Sequence, residues 1–137
     1  VDFRMNLSAD GGSNYNVTKT SHFFRASHEE GGGSASLDNA TGPDLGQSTG
    51  VQPIAGLTIG GDNDQSLSGE VRLFNPSGTT FVKHYNAITQ TYSANGDASA
   101  QCFVGGYGNT TSAINAIQFT MSSGNIQSGT FKLYGIL

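Results

Sequence analysis

Apolar and polar residues alternate with a period of two at several points along this chain, the spacing of a β-strand with one face buried and the other in water. Val1, Phe3, Met5 and Leu7 fall on one face, and Asp2, Arg4, Asn6 and Ser8 on the other, which predicts a first strand over 1–8. The next stretch, Ala9-Asp10-Gly11-Gly12-Ser13-Asn14, reads as a turn, because Asp-Gly and Gly-Gly supply the positive φ angles a tight reversal needs. A second strand is expected over 15–19 or onward through 20–28, with Phe23 and Phe24 on opposite faces. Residues 51–59 resume the pattern, with Pro53 marking an edge or a bulge. Leu67, Gly69, Val71 and Leu73 alternate with Ser68, Glu70 and Arg72 up to the turn residues Asn75-Pro76-Ser77-Gly78. Further strands are expected over 80–92, bending near Ala87, and over 98–104. Ile117, Phe119 and Met121 alternate with Gln118 and Thr120, and 131–136 is expected to form the last strand. A single turn of helix fits at 111–117.

Between 29 and 50 there is no periodicity, only Gly, Ser, Asp, Asn and one Pro, so a loop of that length is predicted, of the kind that is functional or mobile in compact domains. Short, evenly spaced strands with Gly-rich turns predict an all-β fold: one domain over 1–137, a two-sheet antiparallel sandwich of jelly-roll type with about eight strands. The pattern opens inside a strand at Val1 without a Met, so a further strand or segment upstream is expected.

Composition sharpens this picture. Charged residues make up only 12% of the 137, against 35% hydrophobic, so the polar surface is carried by neutral Ser, Thr, Asn and Gln. That balance favours strands and turns and argues against intrinsic disorder. The net charge is −4, and Arg4, Lys19, Arg25, Arg72, Lys83 and Lys132 are dispersed. Nucleic acid is therefore an unfavoured partner, since binding it takes a basic stripe. No apolar run reaches the ~20 residues of a membrane span, and no leader pattern is visible, so no membrane partner is expected. Cys102 is alone and reads as a buried structural thiol.

Candidate chemistry is sparse. His22, His28 and His84 lack ligand-spaced neighbours, and a straight strand sets His22 and His28 about 20 Å apart. Asp62 and Asp64, in Gly60-Gly61-Asp62-Asn63-Asp64, are weak calcium candidates without the distal Glu of a full loop, and a turn accounts for them. No pair of carboxylates is singled out for glycoside hydrolysis, and no Gly-x-Ser-x-Gly elbow is present. No catalytic residue, metal or cofactor is expected. Carbohydrate binding is the more substantial candidate: Tyr107, in a Gly-rich stretch read as an exposed loop, and then Tyr92 and Tyr85, are the ligand-contact candidates, although Trp is missing.

Two stretches carry a resemblance: Leu7-Ser8-Ala9-Asp10-Gly11-Gly12-Ser13-Asn14-Tyr15, and the run from Ala113-Ile114-Asn115-Ala116 through Phe131-Lys132-Leu133-Tyr134-Gly135-Ile136. Together with Leu67-Ser68-Gly69-Glu70-Val71-Arg72-Leu73-Phe74-Asn75-Pro76-Ser77 and Lys83-His84, the chain resembles small virion-associated proteins of tailed bacteriophages, especially those of cyanobacteria and other aquatic bacteria. The resemblance implies a jelly-roll-like domain on the virion surface, as capsid decoration or in a tail fibre or spike. It also implies partners: copies of itself as a homotrimer, other virion proteins, and host-surface glycan. It carries no catalytic residues, and it too implies a segment before Val1. A carbohydrate-binding module of a secreted polysaccharide-acting enzyme is the alternative, and a glycan-cleaving fibre domain with carboxylates supplied at a subunit interface is a third.

Overall fold

The computed structural model of the chain describes residues 1–56 and 58–136. Leu57, within the 51–59 stretch read as a strand, and Leu137 lie outside the described residues. Among these there is no helix, and the eight strands are β1 (Phe3–Ser8), β2 (Lys19–Glu29), β3 (Ala35–Asn39), β4 (Gln52–Pro53), β5 (Leu67–Leu73), β6 (Lys83–Ser93), β7 (Ala98–Gly108) and β8 (Ala116–Met121). They form two antiparallel sheets, β4-β1-β8 and β3-β2-β7-β6-β5, the two-sheet sandwich expected from the alternation. First strand pairs with last, Phe3 opposite Met121, and second with next-to-last, Lys19 opposite Gly108, as in a jelly roll. On the other side β5, β6 and β7 run as a simple meander.

The two-residue period decides what is buried. On β1 it turns Phe3, Met5 and Leu7 inward; on β2 it sends Phe23 into the core and Phe24 out. On β6 and β7 the inward set is Tyr85, Ala87, Thr89 and Thr91 against Ala98, Ala100, Cys102 and Val104. Ile54 and Ala55 follow β4 into the same core. The Cys102 Sγ accepts a hydrogen bond from the Gly56 N–H at 2.9 Å, and burial pushes the thiol pKa up, so this cysteine is held as an unreactive thiol.

Asp10 organises the β1–β2 turn. Its carboxylate accepts hydrogen bonds from the Asn14 side chain (2.7 Å), the Asn14 N–H (2.9 Å) and the Ser8 hydroxyl (2.7 Å), which together hold its pKa down to about 2. Gly11 and Gly12 follow with φ of 76° and 87°, the left-handed values the sequence implied.

Four local expectations are corrected. The 29–50 stretch contains β3, which pairs with β2 from Phe24↔Asn39 to His28↔Ala35. Its residues are exposed or half-exposed, so backbone pairing holds it without an apolar signal. β7 runs four residues past Val104, which puts Tyr107 in a strand opposite Thr20 and His84 rather than in a loop. Residues 111–117 make no helical turn. Finally, 131–136 is not in a strand: Leu133 and Ile136 are 95% and 91% exposed.

The sheets are unequal, three strands against five. The Ile114 N–H donates to the Pro76 carbonyl at 2.8 Å, tying the start of β8 to the segment after β5. On that flank the inward side chains of β8 (Ile117, Phe119, Met121) and of β5 (Leu67, Val71, Leu73) pack against the core but are only half buried.

Candidate functional site

The outer face of the five-stranded sheet gathers most of the residues singled out above. Strand register sets them in rows. One row reads Thr20, Tyr107, His84; the next reads His22, Gly105, Asn86, Arg72; the next reads Phe24, Phe103, Ile88, Glu70.

Tyr107 is fixed in place from several sides. The Gln47 amide donates to the Tyr107 hydroxyl at 3.4 Å and to Thr20 Oγ1 at 2.7 Å, and Asn109 donates to Gln47 Oε1 at 2.8 Å. The His84 ring meets Tyr107 edge-on at 6.2 Å. Beside it a Cβ on Gly105 would come within 2.7 Å of the His22 ring, so a residue without a side chain is what lets that imidazole lie down on β7. The result is a half-exposed tyrosine among two imidazoles and several amides.

The adjoining row is apolar. Phe24 and Phe103 stack with centroids 4.8 Å apart and planes within 9°. Rings lying flat and side by side cannot approach so closely, so the pair stands on the sheet and turns its edges to water. Ile88 continues this ridge, and it and Phe24 are 38% and 39% exposed.

The other tyrosine candidates do not join Tyr107. Tyr92 lies on the same face opposite Ser99, eight residues along β7 from Tyr107, about 27 Å away. Its hydroxyl donates to Glu30 Oε2 at 3.1 Å, and that bond, with the surrounding negative charge, raises its pKa to about 12. Tyr85 is corrected outright as a ligand contact. It shares inward parity with Ala87, lies in the core, donates its hydroxyl to Gln52 Oε1 at 3.1 Å, and is pushed by burial to a pKa of about 12.

Asp62 and Asp64 sit in an exposed turn in which the Asp62 N–H bonds to Gln65 Oε1 at 3.3 Å and the Gln65 N–H to the Asp62 carbonyl at 3.1 Å. Among the described residues no three His, Cys, Asp or Glu side chains come together as a metal cage. An open cleft of about 460 Å³ lies between the sheets, lined among others by Asp2, Arg25, Pro43, Pro53 and Asn95. The Arg25 Nε is paired there with Asp38 at 3.0 Å.

Two buried lysines escape a reading by composition. Lys19 and Lys83 flank Gly108 on the inner face. Lys19 Nζ donates to Asn6 Oδ1 and to the Val17 carbonyl (2.7 Å), and Lys83 Nζ to the carbonyls of Phe81 (2.6 Å) and Thr111 (3.3 Å). Neither has a carboxylate partner among these contacts, and desolvation lowers the Lys19 pKa to about 8. Their parity with Phe23 and Tyr85 is the signal that marks them as inward-facing. No protein-family model, no curated protein and no solved structure matches the chain.

Proposed function

We propose that this chain is a non-enzymatic structural module of a tailed-phage particle, displayed on the capsid or tail surface and assembled with copies of itself as a homotrimer. The phage setting rests on the resemblance of the sequence. The assembly reading rests on one structural observation: besides the separately exposed Leu37, Phe74 and Phe81, large apolar side chains are bare in two concentrated places. They form the Phe24–Phe103–Ile88 ridge and the 131–136 segment, where Phe131, Leu133, Tyr134 and Ile136 are all more than half exposed. Concentrated bare apolar surface marks protein contact sites. Light scattering on the full chain after size exclusion is expected to give three times the monomer mass; a strictly monomeric species at high concentration would overturn the reading.

A second reading, a carbohydrate-binding module of a secreted polysaccharide-acting enzyme, is favoured by the constellation of Tyr107, His84, His22 and Gln47. The edge-on Phe24–Phe103 pair weighs against it, because sugar rings stack on aromatic faces. Glycan-array binding that disappears in Tyr107→Ala, with the melting temperature unchanged, would move the assignment to this reading.

A further inference from the structure

We infer that Asn95 is a site of spontaneous self-modification, where the Gly96 backbone nitrogen displaces the side-chain nitrogen of Asn95 as ammonia and leaves an aspartate or isoaspartate. The site is independent of the phage setting.

Ring closure of this kind is limited by what stands beside the attacking nitrogen. A Cβ on the residue after the asparagine shields that nitrogen, and glycine has none. Of all the asparagines in the chain, only Asn95 precedes a glycine. The fold asks for that glycine on two counts. Gly96 has a φ of 68°, in the left-handed region. A Cβ there would also come within 2.9 Å of Glu29 Oε1. What the β6–β7 turn needs for its shape therefore bares the nitrogen that attacks Asn95.

The hydrogen bonds of the turn leave the reacting pair free. On one side the Ala94 N–H donates to the Thr58 carbonyl at 3.0 Å and the Asn95 N–H to Ser93 Oγ at 3.1 Å. On the other, the Asp97 carbonyl accepts from the Glu30 N–H at 3.0 Å. Between these anchors neither the Gly96 N–H nor the Asn95 side-chain amide has a hydrogen-bond partner among the described residues. Residues 94–97 are exposed, so water reaches both groups. Other asparagine side chains are held. The buried Asn6 amide donates to the Tyr15 carbonyl at 2.6 Å and accepts from the Leu7 N–H at 3.0 Å, Asn14 is tied to Asp10, and Asn109 to Gln47.

Asparagine is among the thermolabile residues of proteins. Here the Gly96 N–H gives its proton to solvent, and the electron pair on nitrogen forms a bond to Asn95 Cγ. The Cγ–Nδ2 bond breaks, and Nδ2 leaves as ammonia with a proton taken from solvent. The resulting five-membered imide then takes up one water. Opening at Cγ gives aspartate. Opening at the Asn95 backbone carbonyl gives isoaspartate, whose main chain runs through the former side chain. Either way one water is consumed, one ammonia is released, and the net charge moves one unit below −4. The new carboxylate stands on the wall of the cleft that Asn95 shares with Asp2 and Arg25. Isoaspartate also adds a backbone atom to the loop between the paired residues Ser93 and Ala98. The turn thus records the age of the molecule.

The test keeps the full wild-type chain and Asn95→Gln, both folded, in warm, mildly alkaline buffer for some weeks. Glutamine retains the amide but must close a larger ring, which is far slower. Isoelectric focusing is expected to show a band one charge more acidic that becomes the major species in the wild type and is absent from the variant. Circular dichroism is expected to stay unchanged meanwhile, so that the folded chain is what reacts. Peptide mapping is expected to place aspartate and isoaspartate at position 95. In mildly acidic buffer, where the Gly96 nitrogen keeps its proton, the band is expected to grow more than tenfold more slowly. An Asn95 that stays amidated in the folded chain, or another asparagine that converts before it, overturns the inference.

Discussion

Replacing Phe23 by Ala is expected to lower the unfolding free energy by about 3–5 kcal/mol, whereas Phe24→Ala, one residue on, costs roughly 1 kcal/mol. Phe23 is fully buried, and its ring fits against Gly56 so closely that a Cβ there would come within 2.6 Å of Phe23 Cζ. Gly56 has no side chain to move into the vacated space, and its N–H is tied to Cys102, so the cavity stays open. Phe24 loses its stack on Phe103 and little else, since water already reaches it. Urea denaturation of the two variants checks this. Equal losses would contradict the assignment of the two rings to opposite faces of β2.

Stability is also expected to rise with pH between about 8 and 10, and Lys19→Met is expected to abolish that rise while raising the melting temperature at pH 7. Lys19 titrates at about 8 in the folded chain against 10.5 for an ordinary lysine. Between these values the unfolded chain holds a proton that the folded chain has released, so raising the pH favours folding. Below pH 8 both states are protonated, and the cost of burying the ammonium is present in full. The gain across the window is at most about 3 kcal/mol, and Lys19→Met removes the charge while keeping a chain of similar length in the space. Tyr85 acts in the opposite direction at higher pH. Its phenol ionises near 10 when unfolded and about 12 when folded, so stability falls again as pH rises above 10. Thermal melts across this range should therefore peak close to pH 10. A flat wild-type profile from 8 to 10, or a variant that melts lower at pH 7, would contradict a net cost of burying the Lys19 ammonium on neutral acceptors alone.

What was legible in the sequence is what the period of two encodes directly. β5 falls at its expected bounds, β1 and β8 begin or end within two residues of theirs, and Phe23 and Phe24 divide between faces because neighbouring residues on a strand must. Pairing partners carry no such local code. β3 is invisible because its one large apolar residue, Leu37, faces solvent, so nothing but hydrogen bonds to β2 makes it a strand. The 131–136 segment shows the converse: it has alternation in its first residues and packs its Phe131 ring on Phe119 and Phe3, yet it pairs with no strand among the described residues.

The candidate site was half legible for related reasons. Residue type points to Tyr107, but its placement in β7 depends on two glycines being tolerated in the middle of a strand. Aromatic character alone points Tyr85 to a ligand, whereas its parity with Ala87 turns it into the core. The same holds for Lys19 and Lys83, whose charge points to the surface and whose position on the strand points inward. Nothing in the local sequence shows that Gln47, 60 residues away, would come to hold the Tyr107 hydroxyl.

The pairing of β1 with β8 also dictates an order of events as the chain folds. Phe3 finds its partner at Met121, so the smaller sheet cannot close until nearly all the chain is available, whereas β5, β6 and β7 are consecutive and need only short loops. Contacts between neighbours form early, and contacts across a long loop form late, because the entropy of closing that loop must be met first. The meander is thus the natural nucleus. β1 then spends synthesis as an apolar strand waiting for its mate, exposed to whatever holdase or nascent neighbour lies nearest.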